Sequence, residues 1–269
     1  MPDDHAQPQY PTSIGMSDAD SIQLLGHDLA GELIGQVGLA ELAFWLVALR
    51  RPTSSELRVF EAVLVSLADH GFTPTAIAAR LTLTGAPESL QGAIAAGLLG
   101  GGSRFLGVTE DAGRFLADAL DRQRSDGGAL PATDEGWDEL AREAITEQRA
   151  SGRYVPGLGH NVHKVEDPRT PVLFRVAAEE GLFGPHLSLY DAIGRVHADV
   201  LGRRLPLNGA GACGAVLCDL GFPVDILRGF AVLARTAGLL GHLAEEMRRP
   251  IGRDIYEHVD QATAYRPPG

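Results

Sequence analysis

A chain of 269 residues, 45% of them hydrophobic, is long enough to bury a large core as one or two domains and reads as globular. Its formal net charge of −12 argues against nucleic acid or an anionic membrane as partner. The opening Met-Pro-Asp-Asp-His has neither a basic n-region nor an apolar core, and no run is long and uncharged enough for a bilayer span, so a cytoplasmic protein is expected.

In chain order, residues 1–11 are polar, carry three prolines and read as an unstructured arm. Ser17, Asp18 and Asp20 precede an apolar-periodic run and are expected to cap a first helix through Leu25 and Leu29. After an interruption at Gly31, Gly35 and Gly38, residues 39–49 read as a buried helix stopped by Arg50, Arg51 and Pro52. Thr53 and Glu56 have the spacing of a capping box, and Leu57, Phe60, Val63, Leu64 and Leu67 then share one helical face. Gly71 is the stop signal, which leaves His70 at the end of that helix, where a histidine ordinarily serves the negative end of the dipole.

Helical propensity continues over 74–80 and 89–99, and Gly100, Gly101 and Gly102 then mark a hinge or a close backbone approach before Arg104 and Phe105. Amphipathic helices are expected over 109–123 and 134–150, the second with an acidic start at Asp134 and Glu135 that suits the dipole. Further helices are expected over 171–180 and 187–201, and a small-residue helix from the Asn208-Gly209-Ala210-Gly211 turn to Leu220. The longest helix spans 224–247, with Arg235 and His242 on one side of it. Few runs alternate as half-buried strands do, so the fold class is all-α. Cys213 and Cys218 face different sides of their helix and are expected to be reduced and buried, and no residue spacing resembles a metal site.

Chemistry concentrates in Val-Pro-Gly-Leu-Gly-His-Asn-Val-His-Lys-Val-Glu-Asp-Pro-Arg at 155–169. Gly157 and Gly159 free the backbone around Leu158 and deliver His160. Lys164 is the only lysine among the 23 basic residues, and Pro168 fixes the chain just before Arg169. Imidazole, ammonium and guanidinium this close to a glycine turn suit an anionic ligand with a carbonyl to polarise. Arg235 stands in an apolar helix and needs a partner, either Glu245 or Glu246 folding back or, as favoured here, a ligand carboxylate.

Five runs in order carry a resemblance: Ala-Asp-His-Gly at 68–71, residues 89–107, Gly-Leu-Gly-His at 157–160, Leu-Asn-Gly-Ala-Gly at 207–211, and Ala-Arg-Thr-Ala-Gly-Leu-Leu-Gly-His at 234–242. Together they resemble the citrate synthase superfamily, and within it citryl-CoA lyase and the lyase module of ATP-citrate lyase. The resemblance implies a citrate synthase-like fold, with a large helical domain from 12–108 and 206–269 and a smaller coenzyme-side domain inserted at 109–205. It implies cleavage of citryl-CoA, a 3-hydroxy-3-carboxyacyl-CoA, to acetyl-CoA and oxaloacetate. Coenzyme A enters as a thioester, no cofactor is tightly bound, and a homodimer is expected.

By the same resemblance His70 and His160 are catalytic, and Arg169 and Arg235 grip carboxylates. Arg249, or its neighbour Arg248, enters the partner subunit's site, and Gly157, Leu158, Gly159 and Lys164 meet coenzyme A. Two departures stand out. Arg104-Phe105-Leu106-Gly107 replaces the synthases' His-Gly-Gly, which points to the lyase branch. Ala210 replaces the aspartate of the family's Asn-Val-Asp-Gly and cannot carry a proton, leaving His163, Asp219 or a water to substitute. That gap keeps two alternatives open: a synthase or lyase for a related acyl-CoA, and a binding homologue without turnover.

Overall fold

The computed structural model describes residues 10–268, so the polar arm read at 1–11 lies outside the described residues as far as residue 9. The chain divides into two compact units, Met1–Leu57 and Arg58–Gly269.

The first unit corrects one expectation. No helix forms around Leu25; instead β1 (Gly15–Ser17) pairs antiparallel with β2 (Ile22–Leu24), and β2 with β3 (His27–Asp28). Asp18 explains the difference. Its carboxylate accepts the N–H groups of Asp20 and Ser21 at 2.9 and 2.7 Å, the same bonds a helix cap would make, but here they close a turn. Leu25 and Gly26, at φ 52° and 80°, make the next turn. One π-helical turn over Leu29–Leu33 follows, and then α1 (Leu39–Ala48), which ends at a left-handed Leu49, φ 55°, one residue before the expected stop at Arg50, Arg51 and Pro52.

The boundary between the units falls inside α2 (Ser54–Ala68), whose capping box is formed as read. Thr53 Oγ1 accepts the Glu56 N–H at 3.2 Å, and Glu56 accepts the Thr53 N–H at 2.8 Å. The helices that follow are α3 (Pro74–Gly85), α4 (Leu90–Leu106), α5 (Val108–Ser125), α6 (Asp134–Ala150), α7 (Arg169–Glu179), α8 (Pro185–Leu201), α9 (Gly209–Asp219), α10 (Leu227–Arg248) and α11 (Gly252–Gln261).

The glycine triplet is a hinge, as read: Gly102 leaves helical geometry, at φ 48° and ψ −158°, and α4 resumes after the kink. A further helix, absent from the sequence reading, forms beyond Pro250. The buried Glu246 carboxylate accepts the N–H groups of Ile251 and Gly252 at 2.9 and 2.7 Å, a long-range cap for α11.

Packing places α9 at the centre. Its small residues are buried along its length except at Ala210, and α5, α7 and α8 pack against it. The α3–α4 hairpin closes on α10 through Ala79, Leu83, Ala93, Leu239 and Leu243, where each fully buried leucine contributes about 1.5–3 kcal/mol. Phe60 of α2, Phe222 and Phe230 of α10 form an aromatic triangle with centroids 4.5–5.6 Å apart. No helix of the described residues is long and apolar enough to cross a membrane.

Candidate functional site

A cavity of about 1420 Å³ opens where the end of α2, the 155–169 loop, the start of α9 and the middle of α10 meet. Its lining brings together His70, Gly157, Leu158, Gly159, His160, Arg169, Ala210 and Arg235, residues up to 165 positions apart in the chain. Lys164 and Arg249 are not among the lining residues. Lys164 is exposed and donates from Nζ to the His160 carbonyl at 3.0 Å, while Arg249 is exposed just beyond the end of α10.

The glycine loop is held by the segment before α9. Gly157 O accepts the Asn208 N–H and the Tyr190 hydroxyl, both at 2.8 Å, and the Asn208 amide donates to Gly159 O at 2.9 Å. Gly157 sits at φ +83°, and a Cβ there would lie 2.7 Å from the Tyr190 ring, so conformation and close approach both require glycine. Asn208 also caps α9 by accepting the Gly211 N–H at 2.8 Å. The loop and the helix carrying Ala210 are therefore one hydrogen-bonded unit.

His160 has a defined tautomer. Its Nδ1 accepts the backbone N–H groups of Val162 and His163, both at 3.0 Å, so the ring proton resides on Nε2. Burial pushes its pKa down to about 4, against the opposing pull of Asp167, and the ring is neutral near pH 7. Neutral His160 is thus a hydrogen-bond donor. His70 lies beside it, with ring centroids 5.0 Å apart, and burial followed by the Arg169 charge lowers its pKa as well.

Asp167, which the sequence offers only as one member of the motif, is fully buried. Oδ1 accepts from Arg169 N and Nε at 3.1 and 3.0 Å, and Oδ2 accepts from Arg169 Nη2 and Gly209 N, both at 2.7 Å. Burial alone would raise this carboxyl's pKa, but Arg169 and the Gly209 N–H outweigh it and hold the group well below the usual carboxylate range. Asp167 therefore fixes Arg169 in the cavity wall and stays ionised.

Arg235 is 8% exposed, its Nε has no partner among the described residues, and Asp69 stands 3.5 Å from Nη1. Gly238, one turn on, lets α10 lie directly on the end of α2, since a Cβ there would fall 1.9 Å from Ala68 O. The two glutamates considered as partners for Arg235 serve another arginine. Arg80, only 1% exposed, pairs with Glu246 at 2.9 Å and with Glu245, and donates to His242 Nδ1. His242 Nε2 in turn lies 2.9 Å from Asp69 Oδ1. Asp69 is thereby committed to His242 and to the Gly71 N–H at 2.8 Å, leaving Arg235 under-satisfied and facing the cavity.

Ala210 lines the cavity and offers only a methyl group. Of the substitutes considered for its missing acid, Asp219 is occupied elsewhere, accepting the N–H groups of His186 and Leu187 at the start of α8 at 3.0 and 2.9 Å. His163 has a ring centroid 4.5 Å from that of His160 and 5.4 Å from that of His70. The ring nitrogens of the three histidines lie within 4.8 Å of one another, a grouping that sequence spacing could not reveal because His70 is 90 residues away. Distance alone would admit a metal ion. A metal-bound imidazole donates its other N–H, whereas His160 Nδ1 faces two donors, so this ring is set up as a proton donor and not as a ligand. Both cysteines are free and buried, as expected.

The family described as "Citrate synthase, C-terminal domain" matches residues 29–256. Among solved structures, citryl-CoA lyase from Hydrogenobacter thermophilus superposes with a TM-score of 0.81 at 30% identity, covering 97% of this chain and 96% of that one. An ATP citrate lyase from Methanosaeta concilii in complex with (3S)-citryl-CoA superposes with a TM-score of 0.75 at 23% identity, over 98% of this chain and 42% of that one. Among curated sequences, a probable ATP-citrate synthase of Caenorhabditis elegans is 24% identical over 267 residues, 93% of this chain and 23% of the relative. The chain thus spans about a quarter to a third of the curated ATP-citrate synthases it matches.

Proposed function

Because the chain belongs to the citrate synthase family, by a match to its C-terminal domain over residues 29–256, we propose that it is a carbon–carbon lyase that cleaves citryl-CoA to acetyl-CoA and oxaloacetate. One observation carries the reading. Two neutral imidazoles, 5.0 Å apart, share a cavity with a buried guanidinium whose Nε has no partner among the described residues. The relatives' names support the substrate, since the Hydrogenobacter protein is a citryl-CoA lyase.

On this reading Arg235 and the Asp167-held Arg169 bind carboxylates of the citryl group. Nε2–H of His160 donates to the oxygen that becomes the ketone, and His70 accepts the tertiary hydroxyl proton. Gly157, Leu158 and Gly159 line the thioester end, with Lys164 at the rim for coenzyme phosphates, and the inserted 109–205 segment carries this coenzyme side. No tightly bound cofactor is invoked. The working form is a cytoplasmic homodimer in which Arg249 of one protomer completes its partner's site. Mixed dimers of Arg249→Gln and His160→Gln chains then regain activity that neither homodimer has, and no regain would remove Arg249 from the site.

The direct test is incubation of the purified protein with citryl-CoA. Acetyl-CoA and oxaloacetate released in equal amounts support the assignment, and neither above background overturns it. Ala210 favours a second reading, a related acyl-CoA as substrate. Turnover of another acyl-CoA and oxo acid pair, without citryl-CoA cleavage, would select that one. Thermal stabilisation by coenzyme A esters with no turnover would leave a binding protein.

A further inference from the structure

With a methyl group at position 210, the proton that must reach the enolate carbon needs another carrier, and the geometry eliminates most groups around the cavity. Asp167 has both oxygens filled by four donors, and Asp219 is spent on the start of α8. His160 keeps its proton on Nε2 because Nδ1 is filled by two backbone N–H groups, so it donates a hydrogen bond and has no lone pair for an incoming proton. Asp111, the other carboxyl of the lining, lies on α5 among Arg228, Glu110 and Arg114, away from the histidines. His70, in the lining, and His163, which stands behind it, remain.

His70 alone is a poor store for a proton. Burial and the neighbouring Arg169 both disfavour its charged form. His163 is half-buried, with one ring nitrogen within 4.8 Å of a nitrogen on each of the other two histidines, a span that a single water is large enough to bridge. The charged and titratable groups around the pair are His160, Asp167 and Arg169 from the loop and the start of α7, Asp69 beside His70 at the end of α2, and Lys164 next to His163 in sequence, whose Nζ is turned to the His160 carbonyl.

We propose that His163 is the proton relay of His70, replacing the carboxylic acid that position 210 lacks. The inference rests on the citryl-CoA reading. The substrate O–H bond breaks with its proton moving to His70, and the electron pair of the breaking C–C bond becomes the thioester enolate. The proton is shared between His70 and His163 and then delivered to the enolate carbon. Both rings end neutral, and the net change is one proton moved from oxygen to carbon. His163 acts through His70 and need not touch the substrate.

Two measurements on the full-length protein separate this inference from the reading beneath it. The first needs no substrate: imidazole ¹⁵N NMR titration of wild type and His163→Gln. In the variant the His70 titration moves to higher pH, because the His163 ring that disfavours its charged form has gone. An unchanged His70 titration overturns the relay, even if citryl-CoA is cleaved. The second uses citryl-CoA. His163→Gln lowers kcat about 10²-fold with KM little changed, and added imidazoles restore His163→Gly at rates that follow their pKa values. A fold-intact His163→Gly that no base rescues, or a His163→Gln with wild-type kcat, overturns it. If wild type itself leaves citryl-CoA intact, the substrate assignment fails and the NMR titration alone decides whether the histidines are a proton-sharing pair.

Discussion

Arg235→Met separates stability from function in a way that few substitutions do. A buried guanidinium is expensive unless fully paired, and Arg235 has an orphaned Nε and only a 3.5 Å contact with a carboxylate whose side chain is 47% exposed. That contact contributes about 0–1 kcal/mol, while an unsatisfied buried N–H costs about 1–3 kcal/mol. Methionine fills similar volume without polar demand, so the variant is expected to be as stable as wild type or more stable by about 1–2 kcal/mol in urea unfolding. Losing a buried charge partner for a ligand carboxylate costs about 2–5 kcal/mol, a fall in oxo acid affinity of roughly 30-fold to several thousand-fold by titration calorimetry. Arg80→Met is the control with the opposite sign. Its guanidinium is paired with Glu246, 3% exposed, and removing it strands a buried carboxylate at a cost of about 3–5 kcal/mol. An Arg235→Met protein that loses several kcal/mol of stability, or binds oxo acids as wild type does, refutes the view that this side chain is held for a ligand.

Other outcomes follow from the same geometry. His160 has a depressed folded-state pKa, so between its unfolded value near 6.5 and about 4 the unfolded chain binds the proton first. Its contribution is therefore full above pH 6.5 and falls away as pH drops toward 4, by at most about 3 kcal/mol; urea midpoints across this window should show a shallower pH dependence in His160→Gln. Tyr190→Phe leaves the carbonyls of Gly157 and Asn208 without the hydroxyl and is expected to cost about 1–3 kcal/mol, with KM for the thioester raised more than kcat is lowered. Ala210→Asp restores a carboxyl to the cavity wall; if His163 has taken over the proton, the substitution rescues His163→Gln turnover while changing wild type by less than about tenfold.

Much of the helical framework is local chemistry and can be read as such. The capping box at Thr53 and Glu56 and the acidic start of α6 depend on neighbours within a turn, so their residues specify them without the rest of the chain. The loop motif likewise announces His160 and Arg169, and the apolar surroundings of Arg235 announce a charge that wants a partner. Local chemistry misleads where one device serves two structures, as at Asp18, whose turn and whose helix cap would use identical bonds, and where a cap comes from a distance, as Glu246 does for α11.

The 155–169 motif and five ordered runs thus identify the charged groups of the site from the residues alone, and periodicity gives most, though not all, of the helices. Only the tertiary structure decides which groups meet. It assigns Glu245 and Glu246 to Arg80, commits Asp69 to His242 and so leaves Arg235 open, and sets His163 beside His70 across 93 positions of chain. The reason is physical: a periodicity specifies which face of a helix is buried, but ion-pair partners and ring tautomers are set by which faces arrive together, and that is a property of the packed chain.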